Sequence, residues 1–393
     1  MTSPRSRRFL AMTALALVAF AGGAMREALA TCGVFADVPD GNVFCASILQ
    51  VYYLGITSGT TPTTYGPSAT VTREQMAAFL ARTYDRTASR TSRRAALGQW
   101  WTTTPHYDQQ DLGLTTVGSG PRALKSDGAD VWVARNVAGT VSRVRASDGK
   151  LLETWTGATS GVDVLVAMGR VFVAGNASPG NLYLIDPASA PGAVTTVATD
   201  LGNFPRAIAF DGTNIWTANS NSVSIITPGS WSVSTVSPGF LSLFGILYDG
   251  TSMWVADSNG DAVRKLNADG SIAQTVTVGD APVFPVFDGN NIWVPNFNSS
   301  SLTVVRASDG TVLKTFSAAN GDQNGLNAPA AAAFDGQRIL VTNSGGGLSL
   351  FKAADLSPIG FFATAGVLQP QGACSDGVHF WIAFLGSDKI GRF

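Results

Sequence analysis

Asp249-Gly250-Thr251-Ser252-Met253-Trp254-Val255-Ala256-Asp257 is the stretch on which the fold of this chain turns. A two-residue turn is followed, two residues later, by an apolar pair whose second member is aromatic, then by a small or β-branched residue. The arrangement recurs as Asp127-Gly128 with Val131-Trp132, Met168-Gly169 with Val171-Phe172, Asp211-Gly212 with Ile215-Trp216 and Asp288-Gly289 with Ile292-Trp293. It returns in Asp335-Gly336 with Ile339-Leu340 and Asp376-Gly377 with Phe380-Trp381. The Met168 copy is one residue shorter and has no Asp. Seven copies, spaced 38 to 47 residues apart, have the period of propeller blades with four strands each. Downstream of Trp254, Ser258 to Asp261 is a polar turn, Ala262 to Leu266 alternates, Ala268-Asp269-Gly270 turns again, and Ile272 to Val278 alternates Thr with Val or Ile. The expected fold is mainly β: a seven-bladed β-propeller of four-stranded antiparallel blades, preceded by a small α-helical module.

Closure of the ring is also foreseeable. The last unit runs from Gln371 through Phe380-Trp381 to Lys389-Ile390-Gly391-Arg392-Phe393, one strand short of a blade. Ahead of the first unit, Gly113-Leu114-Thr115-Thr116-Val117-Gly118 is patterned like the outer strand Gln274-Thr275-Val276-Thr277-Val278-Gly279. Pairing it beside the C-terminal strands leaves no open edge, so the two ends of the repeat region are expected to share one blade.

The 393 residues are 45% apolar and 13% charged, about half the usual charge content, with abundant Gly. Such a composition suits exported β-structure. Residues 1–30 have the layout of a signal peptide: Arg5, Arg7 and Arg8, an apolar core from Phe9 to Ala21, and Ala28-Leu29-Ala30 before Thr31. Ser6-Arg7-Arg8-Phe9-Leu10 approaches a twin-arginine signal, with the apolar pair one residue early. Without those thirty residues the net charge is near −4, which offers no basic field for nucleic acid. No later run reaches the ~18 consecutive apolar residues of a membrane span, so no transmembrane segment is expected in the mature chain.

Of three cysteines, Cys32 and Cys45 are plausible disulfide partners in an oxidising compartment, and Cys374, in an inner-strand context, is expected to be a buried thiol. The alternative for Cys32 is acylation, with Leu29-Ala30-Thr31-Cys32 as a lipoprotein processing site.

Residues 31–86 form a separate unit. Phe35-Ala36-Asp37-Val38-Pro39, Ile48-Leu49, Leu54-Gly55-Ile56-Thr57-Ser58-Gly59, Tyr65-Gly66-Pro67 and Val71-Thr72-Arg73-Glu74-Gln75-Met76-Ala77-Ala78-Phe79-Leu80-Ala81-Arg82 resemble, in order, an S-layer homology module. Thr72 and Gln75 have the spacing of a capping box, opening a helix from about Arg73 to Asp85 with Met76, Phe79, Leu80, Thr83 and Tyr84 on one face. Cys45, Ile48, Leu49 and Tyr52 give a second stripe, so the two helices are expected to bury their faces on each other. The resemblance implies tethering to a cell-wall polysaccharide or peptidoglycan. It also implies that Arg73, at the basic position of the family's Thr-Arg-Ala-Glu motif, contacts anionic polymer; otherwise Arg73 is a solvated first-turn residue. Gln75 stands where that motif has Glu, and one module is present where wall-anchored proteins commonly carry three.

Residues 87–111 read as a linker, in which Trp100 and Trp101 either dock on the propeller or form a stacking platform. Residues 112–393 resemble NHL and YVTN-type repeats and virginiamycin B lyase-like propellers, with Pro121, Pro205, Pro282, Pro329 and Pro370 entering the innermost strands. That resemblance implies architecture, not chemistry. Lyases of this shape use a channel histidine with carboxylates and a metal, whereas the histidines here are His106, in the linker, and His379, in a turn. Asp257, Asn259 and Asp261 alternate as in a calcium loop, but no Glu follows at the required spacing. No catalytic residue, metal site or cofactor is assigned. Asn136, Asn176, Asn219, Asn259, Asn296 and Asn343, together with Asn221 and Asn298, follow the Trp-containing strands. They are either turn formers or a partner face suited to a protein or carbohydrate. The expected function is that of an exported envelope protein whose module binds cell wall and whose propeller binds a partner. The alternatives are a propeller lyase or hydrolase on an extracellular substrate and a purely structural envelope component.

Overall fold

The computed structural model describes residues 31–39, 42–53, 56–80, 83, 113–364 and 369–393. The expected signal peptide and linker, with Trp100, Trp101 and His106, lie outside the described residues. The chain divides into two compact units, Met1–Arg90 and Thr91–Phe393.

The larger unit is seven four-stranded antiparallel sheets. In the first blade Pro121–Ser126 is innermost, followed outward by Asp130–Arg135, Thr140–Arg145 and Leu151–Thr156. The inner strands are Pro121–Ser126, Gly161–Ala167, Ala207–Phe210, Leu243–Tyr248, Val286–Phe287, Pro329–Phe334 and Pro370–Ser375. Each second strand carries the aromatic or Leu of the repeat, and Trp132, Trp216, Trp254, Trp293 and Trp381 are all within the buried core between blades. The last blade takes its outer strand from Gly113–Thr116, whose Leu114 lies opposite Gly391 and Thr115 opposite Ile390. Closure is reinforced by side chains. Arg135 Nη1 donates to the Val117 carbonyl, and Arg392 Nη1 donates to the Ser147 carbonyl at 2.9 Å.

The Asp of the repeat does more than form a turn. Asp249 Oδ1 accepts the amides of Thr251 (2.8 Å) and Ser252 (2.7 Å), while Oδ2 accepts the indole Nε1–H of Trp254 at 2.8 Å. The same indole bond joins Asp127 to Trp132, Asp211 to Trp216, Asp288 to Trp293 and Asp376 to Trp381, at 2.7–2.9 Å. Where the aromatic is Phe172, with no N–H, the Asp is missing. The chain turns there through Met168 and Gly169, both at positive φ, as a two-residue hairpin of mirror-image type requires. Where it is Leu340, Arg338 Nε takes the place of the indole on Asp335 at 2.8 Å.

In the smaller unit, Phe35–Pro39 packs on the helix Cys45–Tyr53, burying Cys32, Phe35, Val38, Cys45 and Ile48 with Leu49, Tyr52 and Tyr65 against them. Phe35 sits at the centre, its ring 5.0 Å from Tyr52 and 5.3 Å from Tyr65. The Cys32–Cys45 disulfide is formed. Among the described residues the two helices do not pack face to face, and Tyr84 of the expected second stripe lies outside them. The strand occupies the first helix's apolar face, and on the second helix, residues 73–80, Met76 and Leu80 remain 49% and 63% exposed.

Candidate functional site

Two regions can meet a partner: the start of the second helix in the smaller unit, and the end of the propeller axis where the inner strands begin. At the first, the capping box is closed. The Thr72 amide donates to Gln75 Oε1 at 2.9 Å, and the Gln75 amide to Thr72 Oγ1 at 3.1 Å. Gln75 therefore serves the cap as Glu would, without its charge. Arg73 sits between these two residues, exposed, with no hydrogen bond or ion pair among the described residues. The helix's N-terminal end adds its own positive field there. Elsewhere in the same unit, the Asp37 carboxylate accepts the amides of Tyr65 (2.8 Å) and Gly66 (2.7 Å), and these bonds hold its pKa below the usual carboxylate range. Gly59 is required where it stands: φ is +78°, and a Cβ would lie 2.5 Å from the Thr64 carbonyl oxygen.

On the propeller, the asparagines expected to form a partner face do not stand together as one set. Asn219, Asn296 and Asn343 are fully buried. Asn219 Nδ2 donates to Ser222 and Ser224, Asn296 Nδ2 to Ser301 and Thr303, and Asn343 Nδ2 to Ser349, each tying up its own hairpin. Asn176 Nδ2 donates to the Pro205 carbonyl at 2.7 Å, linking neighbouring blades. Asn136 is half-buried and Asn259 exposed.

The Asp257-Asn259-Asp261 pattern is a turn. Asp257 is buried, with its carboxylate taken by Arg264 Nε at 2.8 Å and the Ser242 amide at 2.9 Å, and Asp261 Oδ1 accepts the Ala281 amide. His379 Nδ1 lies 3.5 Å from Asp376 Oδ2. Burial works against the Asp376 carboxylate. Hydrogen bonds from His379 and Trp381 and from the His379 and Val378 amides outweigh it and hold its pKa low. Cys374 is buried, and burial pushes its thiol pKa well up. Among the described residues, no three His, Cys, Asp or Glu side chains converge as metal ligands.

The axial cavity, about 60 Å³ and partly open to solvent, is lined by residues of all seven blades, six through their inner strands and one through Phe284-Pro285 just ahead of it, and includes Arg122, Lys125, Asp163 and Gln371. Its charged residues were not singled out from sequence. For Arg122 the signal was there in the pair Pro121-Arg122, which places a cation beside the strand-entry proline, as Pro205-Arg206 does two blades on.

Residues 28–77 match the S-layer homology domain. No curated protein matches the chain. Among solved structures, virginiamycin B lyase from Staphylococcus aureus is similar at 18% identity with a TM-score of 0.59, covering 71% of this chain and 98% of that one. Hydrazine synthase of Kuenenia stuttgartiensis aligns at 16% identity and TM-score 0.59, over 71% of this chain and 96% of that one. The WD40 β-propeller domain of Doa1 aligns at 12% and 0.58, over 70% and 92%. At such identities these likenesses establish fold alone. No helix among the described residues is long and apolar enough to cross a membrane. The chain thus carries an S-layer homology domain at residues 28–77, which implies a cell-surface or envelope location, and a seven-bladed β-propeller.

Proposed function

We propose that this is an exported protein whose S-layer homology domain tethers it to a cell-wall polysaccharide or peptidoglycan and whose propeller binds a protein or carbohydrate partner. The observation that carries the reading is the exposed Arg73, held in the first turn of a helix by a closed capping box within a matched S-layer homology domain. A planar guanidinium with free donors suits the carboxylates or phosphates of wall polymers. A binder, not an enzyme, is the reading that fits His379, the one histidine among the described residues, which belongs to a blade turn beside Asp376.

Fractionation of producing cells tests export and location together. The chain should be recovered with the envelope and begin at Thr31; recovery from the cytosol with residues 1–30 still attached would overturn the reading.

A further inference from the structure

At the propeller axis Arg122 and Lys125 line the cavity with a single carboxylate, Asp163, and Arg206 stands just ahead of the inner strand Ala207–Phe210. Arg122, second residue of its inner strand, makes no hydrogen bond or ion pair among the described residues, although it is largely withdrawn from water. Arg206, just ahead of Ala207, has a 3.5 Å contact to Ser242 Oγ, and its guanidinium lies 3.9 Å over the Phe244 ring. The one carboxylate lining the cavity, Asp163, is already used. Its Oδ1 accepts the Val164 amide at 2.9 Å and its Oδ2 the Ile208 amide at 3.0 Å, so it joins two inner strands and bonds neither arginine. Burial lowers the pKa of both arginines. Asp163 offsets part of that at Arg122, while Arg122 lowers the Arg206 pKa further. Half-buried like charges with unspent donors are costly in the empty protein and favourable once an anion sits between them.

The strand directions put more on this face. Each inner strand begins, and each second strand ends, at the same end of the ring. The loops there carry exposed apolar side chains: Val137 at 71%, Phe204 at 47%, Leu241 at 59% and Phe297 at 37%. Phe204 and Leu241 precede inner strands, and Val137 and Phe297 follow second strands. Apolar groups exposed in loops around a polar mouth mark a contact surface.

We propose that Arg122 and Arg206 form a binding site for a carboxylate or phosphate group of an amphipathic ligand whose apolar part rests on the loops of this face. The site deepens the reading of the propeller as a binding domain and rests on it. Phe244, its ring edge-on to Phe284 at 6.3 Å, supports Arg206 from one side and so orients its fork.

Equilibrium dialysis of the full chain against labelled inorganic phosphate, and separately against glucuronate, tests the assignment. One anion should bind per chain. Arg122→Gln and Arg206→Gln should each weaken binding by about tenfold or more, and the double variant should not bind detectably. Lys314→Gln, which breaks a pair with Asp322 elsewhere on the blade ring, should bind as the wild type does. Binding of only one probe assigns the acid as phosphate or carboxylate. If the glutamine variants fail to fold, protection of Arg122 and Arg206 from phenylglyoxal by the bound probe, mapped by mass spectrometry, reads the same site. Absence of binding by either probe, or equal binding by the double variant, overturns the site while leaving wall attachment through Arg73 untouched.

Discussion

At the scale of single residues, the Asp-to-Trp bond is what makes the blades alike. A fully buried indole must find an acceptor for its N–H, and the Asp five residues earlier supplies one while fixing the turn. Spacing alone made the Asp-Gly pairs legible as turns. It did not disclose that Oδ2 reaches back to the Trp, because the reach depends on how the hairpin twists. The sequence nonetheless held the clue, since the Asp is absent in the copy whose aromatic is Phe172. Asp249→Ala leaves Trp254 Nε1 unpaired in the core and should cost about 1–3 kcal/mol in denaturant unfolding. Burial raises the Asp249 pKa, but bonds from Trp254, Ser252 and Thr251 outweigh it, so the folded value lies below the unfolded one near 3.9. The stability it contributes is therefore full above about pH 4 and lost as pH falls through the lower, folded value. Unfolding midpoints of wild type should drop through that acid range, and those of Asp249→Ala should drop less steeply.

At the scale of elements, the shared blade was foreseeable because Gly113 to Gly118 has the alternation of an outer strand and the final unit lacks one. Its register, Thr115 opposite Ile390, was not, since alternation fixes which face points inward but not which residue pairs with which. Proline at both Leu114 and Thr115 removes whichever of the two adjacent amides donates to the ladder, weakens the closing strand and bares the edge of the last blade. The variant should unfold at lower denaturant and run as oligomers in gel filtration. A monomer as stable as the wild type would show that the closing strand is dispensable. The smaller unit was harder to anticipate. Both helical stripes were visible, yet the expectation that they pack together overlooked Phe35, whose strand competes for the first helix's apolar face and wins it with Tyr52 and Tyr65. The partner-face asparagines were ambiguous for a related reason. Asn219, Asn296 and Asn343 have the same neighbours in sequence as a solvated turn residue, and only the hairpins' serines and threonines draw their amides inward.

At the scale of the whole molecule, the proposal gives attachment and recognition to different units: an S-layer homology domain at residues 28–77 for the envelope, and a closed propeller ring for a ligand. The attachment proposed here for Arg73, an exposed charge, should weaken as salt screens it. Co-sedimentation of the full-length protein with purified cell-wall sacculi at low and high salt, wild type beside Arg73→Ala, tests this most directly. Wild type should pellet at low salt and be released by added salt, and Arg73→Ala should stay in the supernatant. Wild type that never pellets, or an Arg73→Ala variant that pellets as fully as the wild type, would contradict it.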